Sequence, residues 1–238
     1  MRVRRVVTTR AGGVSKAPYH SFNLGGGVGD DPRAVAANRR RLAAGVGLTE
    51  DRLVWMGQVH GRNAAVVDAP RESHVPQTDA LVTAEPNLAL VALAADCVPV
   101  LLADPTAGVV AAVHAGRPGA RDGVVLAALA AMSTRGARTE RVEVLLGPAV
   151  CGLCYEVPPD MQADVERHLP GSACRTRRGT TGLDLRAGLW RQLAEAGIAR
   201  IGVDPRCTAE DDQLYSHRRD GRTGRLAALT WLDPEPAR

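Results

Sequence analysis

The chain has 238 residues, 45% of them hydrophobic and 24% charged, which is enough for a globular fold with its own core. Its formal charge of +4 comes almost wholly from arginine, which indicates compositional bias more than a surface for nucleic acid. The N-terminus carries no apolar leader, and the longest apolar stretch, residues 88–103, is broken by Asp96 and Pro99. We therefore expect a cytoplasmic protein without membrane or nucleic-acid partners.

Short β-rich runs between turn residues predict a series of strands along the chain. In chain order they are Val3–Thr8, Leu53–Val59, Ala64–Val67, Ala80–Thr83, Leu88–Ala94, Val98–Ala103, Val109–His114, Val142–Leu146, Ile201–Val203 and Leu226–Trp231.

Helix signals are fewer than strand signals. Asp31 before Pro32 predicts a capped helix start, Asp122 predicts a second, and Asp184 opens a helix that Gly197 stops. The predicted helices cover residues 32 to 45 or 47, 122–132, 158–168 and 184–196. Because strands outnumber helices and do not alternate regularly with them, the pattern indicates an α+β fold with mixed sheets. We expect a single domain over residues 1–238.

Two histidines and a cysteine stand at the ends of predicted strands, each near glycine. They are His60, Cys97 and His114. Imidazole and thiolate are zinc ligands, and three of them leave a fourth position open, as in catalytic sites. The spacing alone also fits two core histidines with a buried thiol. Three further histidines in polar stretches are expected in solvent: His20, His74 and His168.

The remaining cysteines include one short motif. Cys151 and Cys154 form a C-x-x-C pair, which is either redox-active or half of a zinc site. No second C-x-x-C completes a four-thiolate set, so we interpret this pair as structural or incidental. Cys174 and Cys207 are interpreted as isolated thiols. The sequence therefore predicts that Cys97→Ser removes the metal, whereas Cys151→Ser does not.

Ordered motifs over nearly the whole chain resemble one family, the YfiH-like proteins. These are also called laccase-domain, multicopper polyphenol oxidoreductase or peptidoglycan editing factor proteins. The motifs include residues 9–15, 23–25, 57–61, 78–80, 95–100, 114–116, 147–149, 154–157, 207–208 and 216–225. The resemblance implies an α/β/β/α layered sandwich and a zinc site at His60, Cys97 and His114. It also implies purine nucleoside phosphorylase activity on adenosine, inosine, guanosine and methylthioadenosine, with adenosine deaminase activity. Older family labels imply copper.

One segment departs from the family pattern. After the third ligand the family often has His-Ala-Gly-Trp-Arg-Gly, whereas this chain has Arg117 and Pro118 in place of Trp-Arg. The resemblance therefore leaves a stacking surface or an anion contact in doubt.

The chemistry needs further residues beside the metal. Zinc lowers the pKa of water towards about 7, so deamination at C6 of adenine needs in addition a proton carrier. Asp96 either carries that proton or holds a ligand in place. Gln58 either reads a base edge or caps a strand. Phosphorolysis needs cationic forks for phosphate. The candidates are Arg10, Arg39, Arg218 and Arg219.

Other functions stay open on the sequence. Cys97 is a candidate nucleophile activated by His114, as in a cysteine hydrolase or an amidase that edits cell-wall precursors. A polyphenol oxidase needs several copper ions, for which closely spaced histidines are too few. RNA binding rests on charge alone. The expected ligands are a purine nucleoside and phosphate, and the expected assembly is a monomer or homodimer.

Overall fold

A computed structural model describes residues 1–234. The strands are β1 Arg2–Val7, β2 Leu53–Trp55, β3 Ala64–Val66, β4 Ala80–Thr83, β5 Ala89–Ala94, β6 Val98–Asp104, β7 Val109–Ala115, β8 Glu143–Leu146, β9 Ala173–Arg175, β10 Thr181–Leu183, β11 Arg200–Val203 and β12 Leu226–Asp233. The α-helices are α1 Pro32–Val46, α2 Arg117–Arg121, α3 Val124–Ser133, α4 Pro159–His168, α5 Leu185–Glu195 and α6 His217–Asp220. Short 3₁₀ turns cover residues 26–28, 50–52 and 139–141.

Two mixed sheets form the centre of the molecule. One has four strands in the order β1-β12-β5-β2, and the other has six in the order β11-β8-β6-β7-β4-β3. Each sheet contains parallel and antiparallel pairs; β2 runs parallel to β5, whereas β12 runs antiparallel to it. The strands β9 and β10 form a separate hairpin.

Successive side chains of a strand point to opposite faces of its sheet. The central strands are buried along their whole length, so both faces of each sheet pack against other layers. Leu101 of β6 and Leu90 of β5 belong to the core between the sheets, which are therefore stacked face to face. Leu42 of α1 packs with Trp55 on the outer face of the four-stranded sheet. The helices α3, α4 and α5 cover the outer face of the six-stranded sheet, where Met132 is fully buried. The layers are thus α/β/β/α, as the resemblance implies.

Most predicted elements are present, and the differences have local causes. Asp31 and Asp184 cap α1 and α5 through bonds from the backbone N–H groups of Arg33 and Ala187. The prediction that Asp122 caps a helix is wrong, because Asp122 ends α2 and Gly123 precedes α3. The strand predicted over residues 53–59 ends at Trp55, and the remainder turns away as a loop towards the metal ligands. The short hairpin β9–β10 is absent from the prediction.

No helix within residues 1–234 combines the length and the apolar character needed to cross a bilayer.

Candidate metal centre

The three predicted ligands converge at one end of the stacked sheets. One ligand atom each of His60, Cys97 and His114 lie within 4.8 Å of one another. The Cys97 Sγ is 3.8 Å from the His60 Nε2, and the two imidazole rings meet edge to face with centroids 4.7 Å apart. This donor set fits a zinc ion, because borderline nitrogen and soft sulfur ligands surround one point and leave a coordination position open.

The backbone brings these ligands together from three loops and strands. His114 is the penultimate residue of β7, and it lies opposite Pro99 of β6, two residues after Cys97. His60 comes from the loop after β2 and has a positive φ of 60°. Asp96, beside Cys97, has a φ of 88°. Non-glycine residues with a positive φ are uncommon and carry backbone strain, and such strain clusters at functional sites.

Two glycines allow helix α2 to approach the ligands. A Cβ at Gly116 would lie 2.5 Å from the His60 Cδ2 and 3.4 Å from the Cys97 Sγ. A Cβ at Gly119 would lie 2.5 Å from the Gly61 carbonyl oxygen. Any side chain at Gly116 would therefore displace a ligand, which explains why glycine occupies this position two residues after His114.

Asp79 holds two of the ligands in place. Its carboxylate is fully buried and accepts hydrogen bonds from the His60 and Gly61 backbone N–H groups at 3.0 and 2.8 Å. It also lies 2.9 Å from the His114 Nδ1, which leaves the His114 Nε2 for the metal. Burial alone would raise the pKa of Asp79, but the hydrogen bonds from His114 and from the backbone N–H groups outweigh burial and lower it.

Without a metal ion, Cys97 and His114 favour a thiolate–imidazolium pair. Burial opposes the charged thiolate, yet hydrogen bonds and charges from His114 and His60 lower the pKa of Cys97 to about 6. Burial likewise opposes a charged imidazole, yet Asp79 and Cys97 raise the pKa of His114 to about 9. The site therefore stabilises the ionised thiol that metal binding and nucleophilic attack both require.

The candidate metal centre lies in a cleft of about 680 Å³. One wall is apolar, with Leu93, Val150 and Leu185, and another is a glycine-rich turn over residues 25–27. The side chains with cationic or imidazole groups that line it are His60, His74, His114, Arg117, His217, Arg218 and Arg225. Asp96 is the one carboxylate among the lining residues of the described chain. The cleft therefore favours an anionic ligand beside an apolar one.

Asp96 and Gln58 line this cleft, but their polar atoms have protein partners. The Asp96 carboxylate accepts from the Thr208 hydroxyl and from the Arg218 backbone N–H, both at 2.6 Å. The Gln58 amide donates to the Leu93 carbonyl at 2.9 Å and accepts from the Leu93 N–H at 2.8 Å. This geometry favours loop-holding for Asp96 and strand capping for Gln58.

Arg218 is the only predicted phosphate ligand that lines the cleft within the described chain; its guanidinium lies 5.1 Å from the centre of the Tyr155 ring. Arg219 instead donates to the carbonyls of Thr208 and Leu214 at 2.9 and 2.8 Å. In contrast to the prediction, Arg219 fixes the loop that carries Arg218.

The other two predicted phosphate ligands are also placed differently from the prediction. Arg39 stacks 4.1 Å above the Trp55 ring and donates to the Leu24 carbonyl at 3.0 Å. Arg10 lies over the Tyr215 ring and donates to the His20 carbonyl at 3.0 Å. Both guanidinium groups thus hold loops outside the cleft lining.

Sequence reasoning missed several cleft residues. Arg117 has only the role of a departure from the family pattern in the sequence, yet it lines the cleft together with Tyr155. Arg225 ends the family motif over residues 216–225 and has no predicted role, and burial lowers its pKa. His74 is exposed, as predicted, but it also lines the cleft, and its Nε2 is 3.2 Å from the Arg39 guanidinium. These positions have no signal beyond the motifs, because only the fold brings them together.

A second cluster corrects the interpretation of the other cysteines. Ligand atoms of Cys151, Cys154, Cys207 and Glu210 lie within 4.8 Å of one another. Cys207 is therefore not an isolated thiol. Burial and the neighbouring thiols raise the pKa of Cys154 to about 12 in the metal-free protein.

Fold and site together define a mixed α+β sandwich with a His–His–Cys centre at the end of its sheets. The chain belongs to the family described as multi-copper polyphenol oxidoreductase laccase, which it matches over residues 4–233. This membership confirms the resemblance drawn from the sequence motifs.

Several relatives are similar over almost their whole length. A purine nucleoside phosphorylase of Mycobacterium tuberculosis is 58% identical over 98% of this chain and 93% of its own. One from Corynebacterium glutamicum is 57% identical, with 98% and 96% covered. The crystal structure of YlmD from Geobacillus stearothermophilus is 34% identical with a TM-score of 0.92, covering 98% of this chain and 92% of that one. That of the Bacillus licheniformis hypothetical protein YfiH is 30% identical with a TM-score of 0.90, covering 97% and 93%.

Proposed function

We propose that this chain is a zinc-dependent purine nucleoside phosphorylase that also deaminates adenosine. The observation that carries the proposal is a cation-lined cleft with His60, Cys97 and His114 in its lining. The relatives named purine nucleoside phosphorylase support it. The proposed substrates are adenosine, inosine, guanosine and methylthioadenosine, together with phosphate. We expect a cytoplasmic monomer or homodimer.

Phosphorolysis requires that the cleft bind phosphate next to the purine nucleoside. A phosphate oxygen bonds to the ribose C1′ while the C1′–N9 bond breaks, and the purine takes that electron pair and the proton that phosphate releases. We assign phosphate to Arg117, Arg218 and Arg225, whose charges face one cleft. Guanidinium groups suit phosphate because their planar forks donate in pairs. The apolar wall would hold the purine.

The metal is assigned to zinc because two imidazoles and one thiolate suit it, with copper as the alternative. When bound, zinc supplies a Lewis acid and lowers the pKa of water. Asp79 would keep the His114 ring in the orientation that ligation needs. For deamination, Asp96 is the proton carrier only if a substrate displaces one of its partners, Thr208 or the Arg218 N–H.

The test compares two adjacent arginines. Arg218→Ala should raise the phosphate concentration needed for adenine release from adenosine by about tenfold to a hundredfold, since a charge-assisted hydrogen bond contributes about 1.5–3 kcal/mol. Deamination to inosine should fall less. Arg218→Lys should restore part of the loss, because an ammonium group lacks the fork.

Arg219→Ala is the matched control, because its guanidinium bonds loop carbonyls. It should lower both activities together, with little change in the phosphate requirement. Initial rates of adenine and inosine formation over a phosphate titration distinguish these outcomes. An unchanged phosphate requirement in Arg218→Ala contradicts the assignment, and adenine release without any need for phosphate contradicts phosphorolysis.

A cysteine hydrolase is the second candidate, because Asp79, His114 and Cys97 form a chain in which the thiol is ionised near neutral pH. Such an enzyme would include an amidase that edits cell-wall precursors. It would keep its activity after the metal is removed with a chelator and lose it on alkylation. The phosphorylase should lose activity with the metal and regain it when zinc is returned.

A further inference from the structure

The loops after β8 and β11 carry a second group of metal-ligand side chains. The two strands are parallel neighbours, so their following loops leave the same edge of the sheet. A backbone bond of 3.1 Å from the Thr208 N–H to the Ala149 carbonyl joins the loops. Three thiols and one carboxylate thereby converge, at Cys151, Cys154, Cys207 and Glu210.

The four side chains form two similar turns. Cys151 and Cys154 are three residues apart, and the Cys154 N–H donates to the Cys151 carbonyl at 3.0 Å. Cys207 and Glu210 have the same spacing, and the Glu210 N–H donates to the Cys207 carbonyl at 3.1 Å. The segment C-x-x-E is thus the partner that the C-x-x-C motif lacks in the sequence pattern. Pairs of such turns are a common arrangement of structural zinc ligands.

We infer that Cys151, Cys154, Cys207 and Glu210 bind a second zinc ion, as a structural site distinct from the His60–Cys97–His114 centre.

The donor chemistry and the spacing fit zinc. Three thiolates and one carboxylate complete a four-coordinate set, and soft thiolates select zinc over hard cations. Zinc–sulfur bonds of about 2.3 Å in a tetrahedral site place sulfur atoms about 3.8 Å apart. The ligand atoms, all within 4.8 Å of one another, need only small shifts to meet this.

Two surrounding groups interact favourably with negative charge on the ligands Cys207 and Glu210. The Cys151 backbone N–H donates to the Cys207 Sγ at 3.3 Å, which is a bond that stabilises a thiolate. Arg177 forms an ion pair with Glu210, and its backbone N–H donates to the Leu153 carbonyl at 3.1 Å, inside the first turn. This cation offsets the excess negative charge of three thiolates and a carboxylate around a divalent ion.

The second site is connected to the cleft through Asp96. Thr208, next to Cys207, donates its hydroxyl to the Asp96 carboxylate at 2.6 Å. Val150, next to Cys151, donates its backbone N–H to the Asp96 carbonyl at 3.1 Å. Both turns therefore hold the residue before Cys97, so a metal that fixes the turns also fixes this loop of the catalytic cleft.

Zinc analysis of the full-length protein tests the inference. The native chain should carry two zinc ions, and Cys97→Ser and Cys151→Ser should each carry one. Cys207→Ser should behave as Cys151→Ser does. Cys174→Ser is the matched control, because its sulfur lies 3.5 Å from the Gly152 carbonyl but outside the ligand cluster. It should retain two ions.

A second measurement does not depend on folding of the second-site variants. Cobalt loaded into Cys97→Ser should give strong thiolate-to-metal absorption, since the remaining cluster holds three thiols. No such absorption, or a native protein whose single zinc is lost in Cys97→Ser, overturns the inference. A disulfide among these thiols, seen as cysteines that resist alkylation until reduction, also overturns it. None of these outcomes bears on phosphorolysis.

Discussion

At the residue scale, Asp79 is the group on which the orientation of two ligands depends. Asp79→Asn removes the charge opposite the His114 Nδ1 and places an amide N–H₂ among backbone donors. Metal affinity should fall about tenfold to a hundredfold, as for other carboxylates behind a ligating histidine. A chelator competition titration with zinc measures this.

Asp104 offers a matched control for Asp79. It is also fully buried and accepts from the backbone N–H groups of Thr106, Ala107 and Arg138 at 3.0, 3.0 and 2.9 Å. Asp104→Asn should lower the free energy of unfolding without changing zinc affinity at the His60–Cys97–His114 centre. Equal zinc affinity in the two variants would show that the Asp79 charge does not act on the ligands.

Cys97 should be reactive at an unusually low pH in the metal-free protein. The rate of alkylation by iodoacetamide should reach half its plateau near pH 6, because the thiolate is the nucleophile and the pKa of Cys97 is lowered to about 6. Cys154, with its pKa raised to about 12, should stay unmodified at neutral pH. A midpoint near pH 9.0, the ordinary value for this thiol, would contradict the ion pair with His114.

The same pair contributes to how the stability of the metal-free protein depends on pH. The lowered pKa of Cys97 contributes stability that is complete above 9.0, its ordinary value, and is lost as pH falls through about 6. The raised pKa of His114 contributes stability that is complete below 6.5 and is lost as pH rises through about 9. Between about pH 6.5 and pH 9 the first contribution grows as the second falls, so the pair should leave the free energy of unfolding nearly constant over this range, which urea unfolding at several pH values measures.

At the scale of elements, α1 organises the glycine-rich side of the cleft through Asn38. This buried amide donates to the carbonyls of Ser21 and Asn23 at 3.2 and 2.9 Å and accepts from the Val14 N–H at 2.9 Å. Asn38→Ala should cost several kcal/mol, at about 1–3 kcal/mol for each buried group left without a partner. It should also weaken nucleoside binding, because the turn over residues 25–27 lines the cleft.

Asp31→Ala is the control that lowers the stability of α1 but leaves the hydrogen bonds of Asn38 in place. It removes the α1 N-cap, which should cost about 0.5–2 kcal/mol in urea unfolding, with the KM for nucleoside unchanged. If both variants raise KM in proportion to lost stability, Asn38 has no separate role in the cleft.

The elements also show what the sequence can and cannot predict. Asp31 and Asp184 were identified as caps because capping depends on residues two or three positions away. The three predicted ligands were candidates for a similar reason, since a strand end beside glycine is a local pattern, but the resemblance of the motifs was needed to choose the metal-site interpretation over core histidines. Asp79 and the pairing of Cys151 with Cys207 depend on contacts between strands far apart in sequence, which local periodicity does not encode.

At the scale of the whole molecule, we expect the two sheets to unfold as one domain because they share a core. Leu101 is fully buried between them, so Leu101→Ala should cost about 2–5 kcal/mol. In a Trp190→Phe background, which removes the exposed indole of α5, the fluorescence of Trp55 and Trp231 reports the outer face of the four-stranded sheet, whereas far-ultraviolet circular dichroism reports all elements. Coincident urea transitions for both signals are expected, and separate transitions would divide the chain into two units.

The position of β12 has a consequence for synthesis on the ribosome. This last strand of the described chain lies inside the four-stranded sheet, between β1 and β5, and pairs Arg2 with Asp233. Translation proceeds from the N-terminus. The strand β1 and one edge of β5 therefore have no hydrogen-bonding partner until residue 233 has emerged and β12 can form. Unpaired edges of this kind favour aggregation. The nascent chain should therefore depend on chaperones until β12 is inserted into the sheet. A truncated chain that is released without β12 should be unable to fold.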